Sequence, residues 1–369
     1  MARLQEVAHR IETRFDRLKQ RLGARLGLSG PAMVQPYHGI GTANDFWVRG
    51  RVMTDQGVVS AVHSDSVLVN IRHTLRRYET DEIPGARLSW SFGASGGTVA
   101  TGEEGFFDFH FDPGSDFDPQ ADWQDVHFIL QDASPLETRP LGATVRVRTP
   151  RRGARFVLVS DIDDTIVHTG ATNFLKHWRT VVANSAKSRQ GYEGLPELYR
   201  ALCAGADGPA TNPVFYVSSS PWNLFDLFDR YMIINGIPRG PMLLKDFGLD
   251  GSKWLTGGHD GHKSRMIDKV AASQPHLPLL LIGDSGQRDL EIYADVAQRY
   301  GAERIAAIVV HDVTGMERRA DVRATLARLR DEGILAFLTS DYHDARDRLV
   351  RAGLLRDAEA GRTALAKAA

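Results

Sequence analysis

FVLVSDIDDTIVHTG, residues 156–170, is the stretch on which the fold reading turns. An unbroken apolar run passes directly into Asp161, Asp163 and Asp164. Continuous rather than alternating apolar character suits a strand covered on both faces, as in a parallel sheet. Five further runs share that texture: PVFYVS (213–218), PMLLK (241–245), LPLLLIG (277–283), RIAAIVVH (304–311) and ILAFLTS (334–340). Segments with helical periodicity separate them, at 197–204, 223–236, 263–273, 289–301 and 319–333. This alternation predicts an α/β fold built on a doubly wound parallel sheet.

Upstream the texture changes. Short alternating apolar runs (DFWVRGRV, SVLVNIR, RLSWSFG, GFFDFHF, DVHFILQ and ATVRVRT) are separated by turn residues such as TDQG, GASGG, TGEEG, DPGSD and DASP. That spacing predicts an all-β sandwich of antiparallel strands preceding the α/β part. TPRRGAR, 149–155, marks the boundary. The expected organisation is an amphipathic helix over 1–30, a β-sandwich accessory domain over 31–150, an α/β domain over 151–357 and a tail over 358–369. The β-rich half shows no cluster of catalytic residue types. It reads first as an accessory binding module, with scaffold and membrane-facing roles also open.

The first helix places Leu4, Val7, Ile11, Phe15, Leu18 and Leu22 on one face and a mostly basic set of side chains elsewhere. It could rest on an anionic membrane or pack on the protein with a solvated basic back, the commoner arrangement. Bulk composition adds limits. At 369 residues, with 42% apolar and 25% charged residues, the chain can build two soluble domains, and a net charge of −1 gives no global field. One cysteine, Cys203, leaves neither an intramolecular disulfide nor a thiolate zinc site, which suits a reducing cytoplasm. No run has the length expected of a membrane span or the pattern of a signal peptide. Outside the first 26 residues no basic stripe with interleaved aromatics suggests a nucleic-acid partner.

In an open α/β sheet, ligands bind beyond the carboxyl ends of the strands. Several such ends here carry charge or hydroxyls: SDIDDT after the first strand, YVSSSP after the second and GDSGQRD after the fourth, with Lys263 opening a helix. Carboxylates gathered at buried strand ends repel one another unless a cation joins them. Hard oxygen ligands without His or Cys select Mg²⁺. GGHDGHK, 257–263, brings His259, Asp260 and His262 together, but three such residues on a glycine-rich loop are more often a turn than a zinc site.

The order DIDDT, strand-terminal serine, lysine and GDSGQRD resembles the four motifs of the haloacid dehalogenase superfamily, whose Rossmann-like domain carries phosphohydrolase chemistry. The resemblance implies Asp161 as nucleophile, Asp163 as general acid and base, Ser218 as the hydroxyl on a phosphoryl oxygen and Lys263 as the balancing cation. It also implies an Mg²⁺ site from Asp161, the carbonyl of Asp163 and Asp284, with Asp289 as ligand or outer partner. Thr165, Ser219 and His168 are candidates for substrate contact, Ser219 replacing Ser218 if the strand ends one residue later. SDIDDTI, YVSSSPWNL, GHKSRMI, LLLIGDSGQRDLEIYADV and RIAAIVVHDV further resemble the catalytic domain of the actin-patch-protein type of Mg²⁺-dependent phosphatidate phosphatase. PYHGIGTANDFWVRGRV and TGEEGFFDF are similar to the domain preceding it in bacterial relatives.

That branch implies a phosphorylated lipid substrate, phosphatidate converted to diacylglycerol, with peripheral membrane contact. Intervals too short for an independent cap domain fit an open site for a bulky phosphomonoester. Phe174, Trp178, Trp222 and Trp254 are candidates for acyl or interfacial contact, and Arg239 and Lys245 for phosphate. The alternative enzyme is a phosphatase of a soluble phosphomonoester, phosphoprotein or polynucleotide end. A catalytically silent binding protein is the third reading, disfavoured because the full motif set is present.

Overall fold

The computed structural model describes residues 32–54, 82–131, 142–167, 193–205, 210–245, 259–286, 288–313 and 319–356. The helix expected over 1–30, the SVLVNIR strand and the tail fall outside these residues. The chain divides into two compact units. One comprises Met1–Pro36, Arg49–Phe109 and Val126–Val145; the other comprises Tyr37–Val48, His110–Asp125 and Arg146–Ala369.

The β-rich strands are β1 (Ala32–Pro36), β2 (Gly39–Gly41), β3 (Phe46–Thr54), β4 (Arg87–Phe92), β5 (Ser95–Ala100), β6 (Phe106–Phe111), β7 (Trp123–Leu130) and β8 (Gly142–Arg148). They join one sheet in the order β1-β3-β2-β8-β7-β4-β5, with β6 pairing to β3. Pairing is mixed: β4 is antiparallel to β5 and β7, while β2 runs parallel to β8. In β7 the alternation is plain, with Gln124, Val126, Phe128 and Leu130 buried and the residues between them exposed. Sequence reading treated GASGG as a spacer, but it opens β5. The turn is only Gly93–Ala94, with Gly93 at φ +52, and the largely exposed SGGTVA strand has no apolar alternation to reveal it.

The second sheet is β9 (Val157–Asp161), β10 (Val214–Pro221), β11 (Met242–Lys245), β12 (Leu279–Asp284), β13 (Ile305–His311) and β14 (Ala336–Thr339). Its order is β11-β10-β9-β12-β13-β14, every neighbouring pair parallel. All six strands fall where the apolar runs placed them. Helices α1 (Leu195–Ala204), α2 (Phe225–Ile234), α3 (His259–Ser273), α4 (Asp289–Tyr300), α5 (Arg319–Asp331) and α6 (Tyr342–Arg351) accompany them. Val157, Leu158 and Val159 are fully buried, as are Leu279 to Ile282, because helices cover both faces. Each such side chain contributes about 1.5–3 kcal/mol of burial.

Strand order reverses between β9 and β12, the place in such sheets where ligands bind. Sequence periodicity omitted α6, which is polar on most faces. Its signal was a cap: the Asp341 carboxylate accepts from the His343 N–H at 2.7 Å, and Tyr342, Ala345 and Leu349 form the buried stripe. Among the described residues no helix is long and apolar enough to cross a membrane.

Candidate active site

Register explains why the charges meet. Asp161 on β9 pairs with Val217 on β10, and Ser160 pairs with Ile282 on β12, so Asp161, Ser218 and Asp284 leave neighbouring strands at one edge. Asp161, Asp284 and Asp289 are fully buried, and one carboxylate oxygen from each lies within 4.8 Å of the others. Lys263, on the first turns of α3, reaches in with Nζ 2.6 Å from Asp161 Oδ1 and pairs as well with Asp289. The other Asp289 oxygen accepts from the Asp284 N–H at 3.3 Å, and Asp284 Oδ1 accepts from the Gly286 N–H at 2.6 Å. Gly283 makes this approach possible, since a Cβ there would stand 2.5 Å from Asp289 Oδ2 and 2.8 Å from the Tyr293 hydroxyl.

The loop after Asp161 is closed on itself. The N–H groups of Ile166 and Val167 donate to the Ile162 carbonyl at 2.9 and 3.1 Å, and the Asp164 N–H donates to Val167 at 2.9 Å. Asp164 holds φ +56, a left-handed conformation that aspartate tolerates better than most residues. Its place in the motif is therefore to make the turn. Tyr231 from α2 donates to the Ile166 carbonyl at 3.2 Å, and Tyr342 from α6 donates to the Thr165 carbonyl at 3.1 Å.

Asp163 turns toward β10. Ser218 donates to its Oδ2 at 2.6 Å, and the Ser220 hydroxyl stands 3.2 Å from each of its oxygens. Sequence reading named Ser218 and Ser219 but missed Ser220. The available signal was the run of three serines, 218–220, at the end of the strand. Thr165 faces the nucleophile candidate, donating to Asp161 Oδ2 at 3.1 Å.

His168, Phe174, Trp178 and Trp254, and the side chains of His259 and Asp260, lie outside the described residues. Trp222 is buried, its ring centroid 4.6 Å from that of Tyr37. Arg239 is engaged with Asp229 at 2.7 and 2.8 Å. Lys245 is half-buried at the end of β11.

The electrostatics are those of crowded like charges. Burial pushes the Asp161 carboxyl well above its ordinary range, Lys263 opposes this, and Asp289, Asp163 and Asp284 add to it. Burial also raises Asp163, against hydrogen bonds from Ser218 and Ser220 and the charge of Lys263. Lys263 is held above the ordinary lysine range, burial being outweighed by Asp161 and Asp289. Three buried carboxylates lie within 4.8 Å of one another, two of them on the Lys263 ammonium group, and a hard divalent cation would relieve their mutual repulsion. The donor set contains oxygen alone, as Mg²⁺ requires.

Comparison with known proteins falls on the same residues. Residues 156–312 match the family model described as phosphatidate phosphatase APP1, catalytic domain. The span holds Asp161, Asp163, Ser218, Lys263, Asp284 and Asp289, and excludes Tyr342. Phosphatidate phosphatase APP1 of Saccharomyces cerevisiae is 33% identical over 153 residues, 41% of this chain and 25% of that protein. An uncharacterized protein of Schizosaccharomyces pombe is 27% identical over 157 residues, 42% of this chain and 25% of that protein. The matched regions thus span a quarter of the length of each relative. Among solved structures, a carbohydrate acetylesterase from Xanthomonas citri aligns over 85% of this chain and 71% of its own at 11% identity. Its TM-score of 0.34 carries no argument about the fold.

Proposed function

We propose that this protein is an Mg²⁺-dependent phosphatase of the haloacid dehalogenase type, acting on phosphatidate through an aspartyl-phosphate. The observation that carries the reading is the Asp161 carboxylate at the end of β9, 2.6 Å from Lys263 and clustered with Asp284 and Asp289. The match to a phosphatidate phosphatase catalytic domain over these residues supports the substrate.

In the first step an Asp161 oxygen attacks phosphorus while the bond from phosphorus to the leaving oxygen breaks. Asp163 gives its proton to that oxygen, releasing diacylglycerol, and burial favours the protonated form it needs beforehand. In the second step water attacks the phosphorus, its proton passes to Asp163, and the bond to Asp161 breaks to release phosphate. Lys263 holds Asp161 in place and balances charge on the transferring group, while Ser218 donates to a phosphoryl oxygen. Asp161, Asp284, Asp289 and the Asp163 carbonyl would hold Mg²⁺, which when bound would supply charge neutralisation and polarisation of the phosphoryl group.

The test is phosphate release from phosphatidate and lysophosphatidate beside sugar phosphates, nucleotides and phosphopeptides, with Mg²⁺ and with chelator. Turnover of the lipids that vanishes with chelator is expected. Strong preference for a soluble member would replace the lipid assignment, and turnover of none would remove the phosphatase reading.

A further inference from the structure

Ser218 is asked to do two things with one proton. A hydroxyl has a single donor hydrogen. The Ser218 Oγ already accepts from the Ser220 N–H at 2.9 Å, and its proton is directed to Asp163 Oδ2 at 2.6 Å. The reading above also has Ser218 donate to a phosphoryl oxygen. Both acceptors cannot be served together, so Asp163 loses its shortest hydroxyl contact as substrate binds.

We propose that Ser220 is a positioning residue that keeps the Asp163 carboxyl aimed once the Ser218 proton has turned to the phosphoryl group. The inference rests on the proposed two-step phosphatase reaction. Its geometry suits the role, because the Ser220 hydroxyl is 3.2 Å from both Asp163 oxygens and can serve whichever one does not carry the transferring proton. The Ser220 N–H meets Ser218 Oγ where the pairing of β10 with β11 shifts register between Val217 and Pro221, and both hydroxyls reach Asp163 from this irregular stretch. During the first step Asp163 releases its proton to the leaving oxygen, and the Ser220 hydrogen bond then stabilises the carboxylate that remains. During the second step the same bond holds that carboxylate toward the incoming water.

A residue acting through the acid shows itself in leaving-group dependence. A departing alkoxide needs the proton, whereas nitrophenolate needs little assistance. Ser220→Ala is therefore expected to lower kcat/KM for an alkyl phosphate, lysophosphatidate, about tenfold or more, and for p-nitrophenyl phosphate less than about threefold. Ser220→Thr, which restores a hydroxyl, should recover the alkyl substrate. In an Asp163→Asn background the alanine substitution should be silent, since the group it positions is gone. Equal loss on both substrates, or none on either, overturns the inference, as does an undiminished effect in the Asp163→Asn background. Thermal unfolding checks that Ser220→Ala is folded; if it is not, Ser220→Cys, a weak donor of similar size, must show the same substrate split. Wild-type protein that hydrolyses neither substrate removes the phosphatase reading and this inference with it, whereas normal wild-type turnover with an unchanged ratio removes this inference alone.

Discussion

Two buried cations in the parallel-sheet unit are kept in opposite ways. Arg148, 2% exposed, is cradled by neutral groups: it donates to the carbonyls of Asp122 at 2.7 Å, Thr149 at 2.6 Å and Ala210 at 2.5 Å. Burial lowers its pKa to about 10. Lys263, 3% exposed, is held by the carboxylates of Asp161 and Asp289 and is raised instead. The carbonyl cradle satisfies a charge and stops there. The carboxylate cluster crowds like charges together at the end of a buried strand, an arrangement characteristic of sites for chemistry.

Asp161→Asn cuts deepest into that distinction. It should remove at least about a thousandfold of phosphate release, since the amide cannot be phosphorylated, while the melting temperature holds because one repelling carboxylate is gone. A variant that keeps full activity would end the nucleophile assignment. The paired test substitutes each cation by methionine. Lys263→Met should cost about 3–5 kcal/mol in urea unfolding and also lower turnover at least about a hundredfold, because buried carboxylates lose their partner and the transferring group its counter-charge. Arg148→Met should destabilise by about 3 kcal/mol, leaving three carbonyls short of donors, with turnover per folded molecule unchanged. Matching activity losses in the two variants would erase the contrast.

The smallest effect concerns a third buried base, placed away from the carboxylate cluster. His38 donates from Nδ1 to the Gly240 carbonyl at 3.1 Å and accepts at Nε2 from Arg239 at 3.2 Å, a pattern that only the neutral ring can make. Burial lowers its pKa from 6.5 to about 4; Asp229 opposes this, Arg239 and Arg146 assist it, and the Gly240 hydrogen bond opposes it. Below pH 6.5 the unfolded chain takes up a proton that the folded ring refuses. The His38 contribution to stability should thus be constant above pH 7 and fall by up to about 3 kcal/mol between pH 6.5 and 4, read as the difference between wild type and His38→Gln in urea titrations across that range.

Legibility in the sequence followed the strength of the local signal. Six buried parallel strands announce themselves because both faces are apolar, with Asp161, Ser218 and Asp284 at strand ends and Lys263 and Asp289 at helix starts. β5 stayed hidden, since an exposed glycine-rich strand looks like a loop. Ser220 stands in a run of three serines, and the sequence does not separate it from Ser219, because the strand is irregular between Val217 and Pro221. Tyr231 and Tyr342 were not readable, because a tyrosine in a helix gives no sign of which distant carbonyl its hydroxyl will meet. Asp164 could be seen but not interpreted until its left-handed backbone made it the turn.

The Tyr342 contact also has an order in time. The hydroxyl that holds the Thr165 carbonyl lies 177 residues downstream of it. At ribosomal rates of roughly 5–20 residues per second, on the order of ten to thirty seconds pass between synthesis of the two. Until then the loop behind Asp161 lacks one of its two tyrosine anchors. A nascent chain would thus carry Asp161, Asp163, Asp284 and Asp289 well before α6 could lend its tyrosine to the loop beside them.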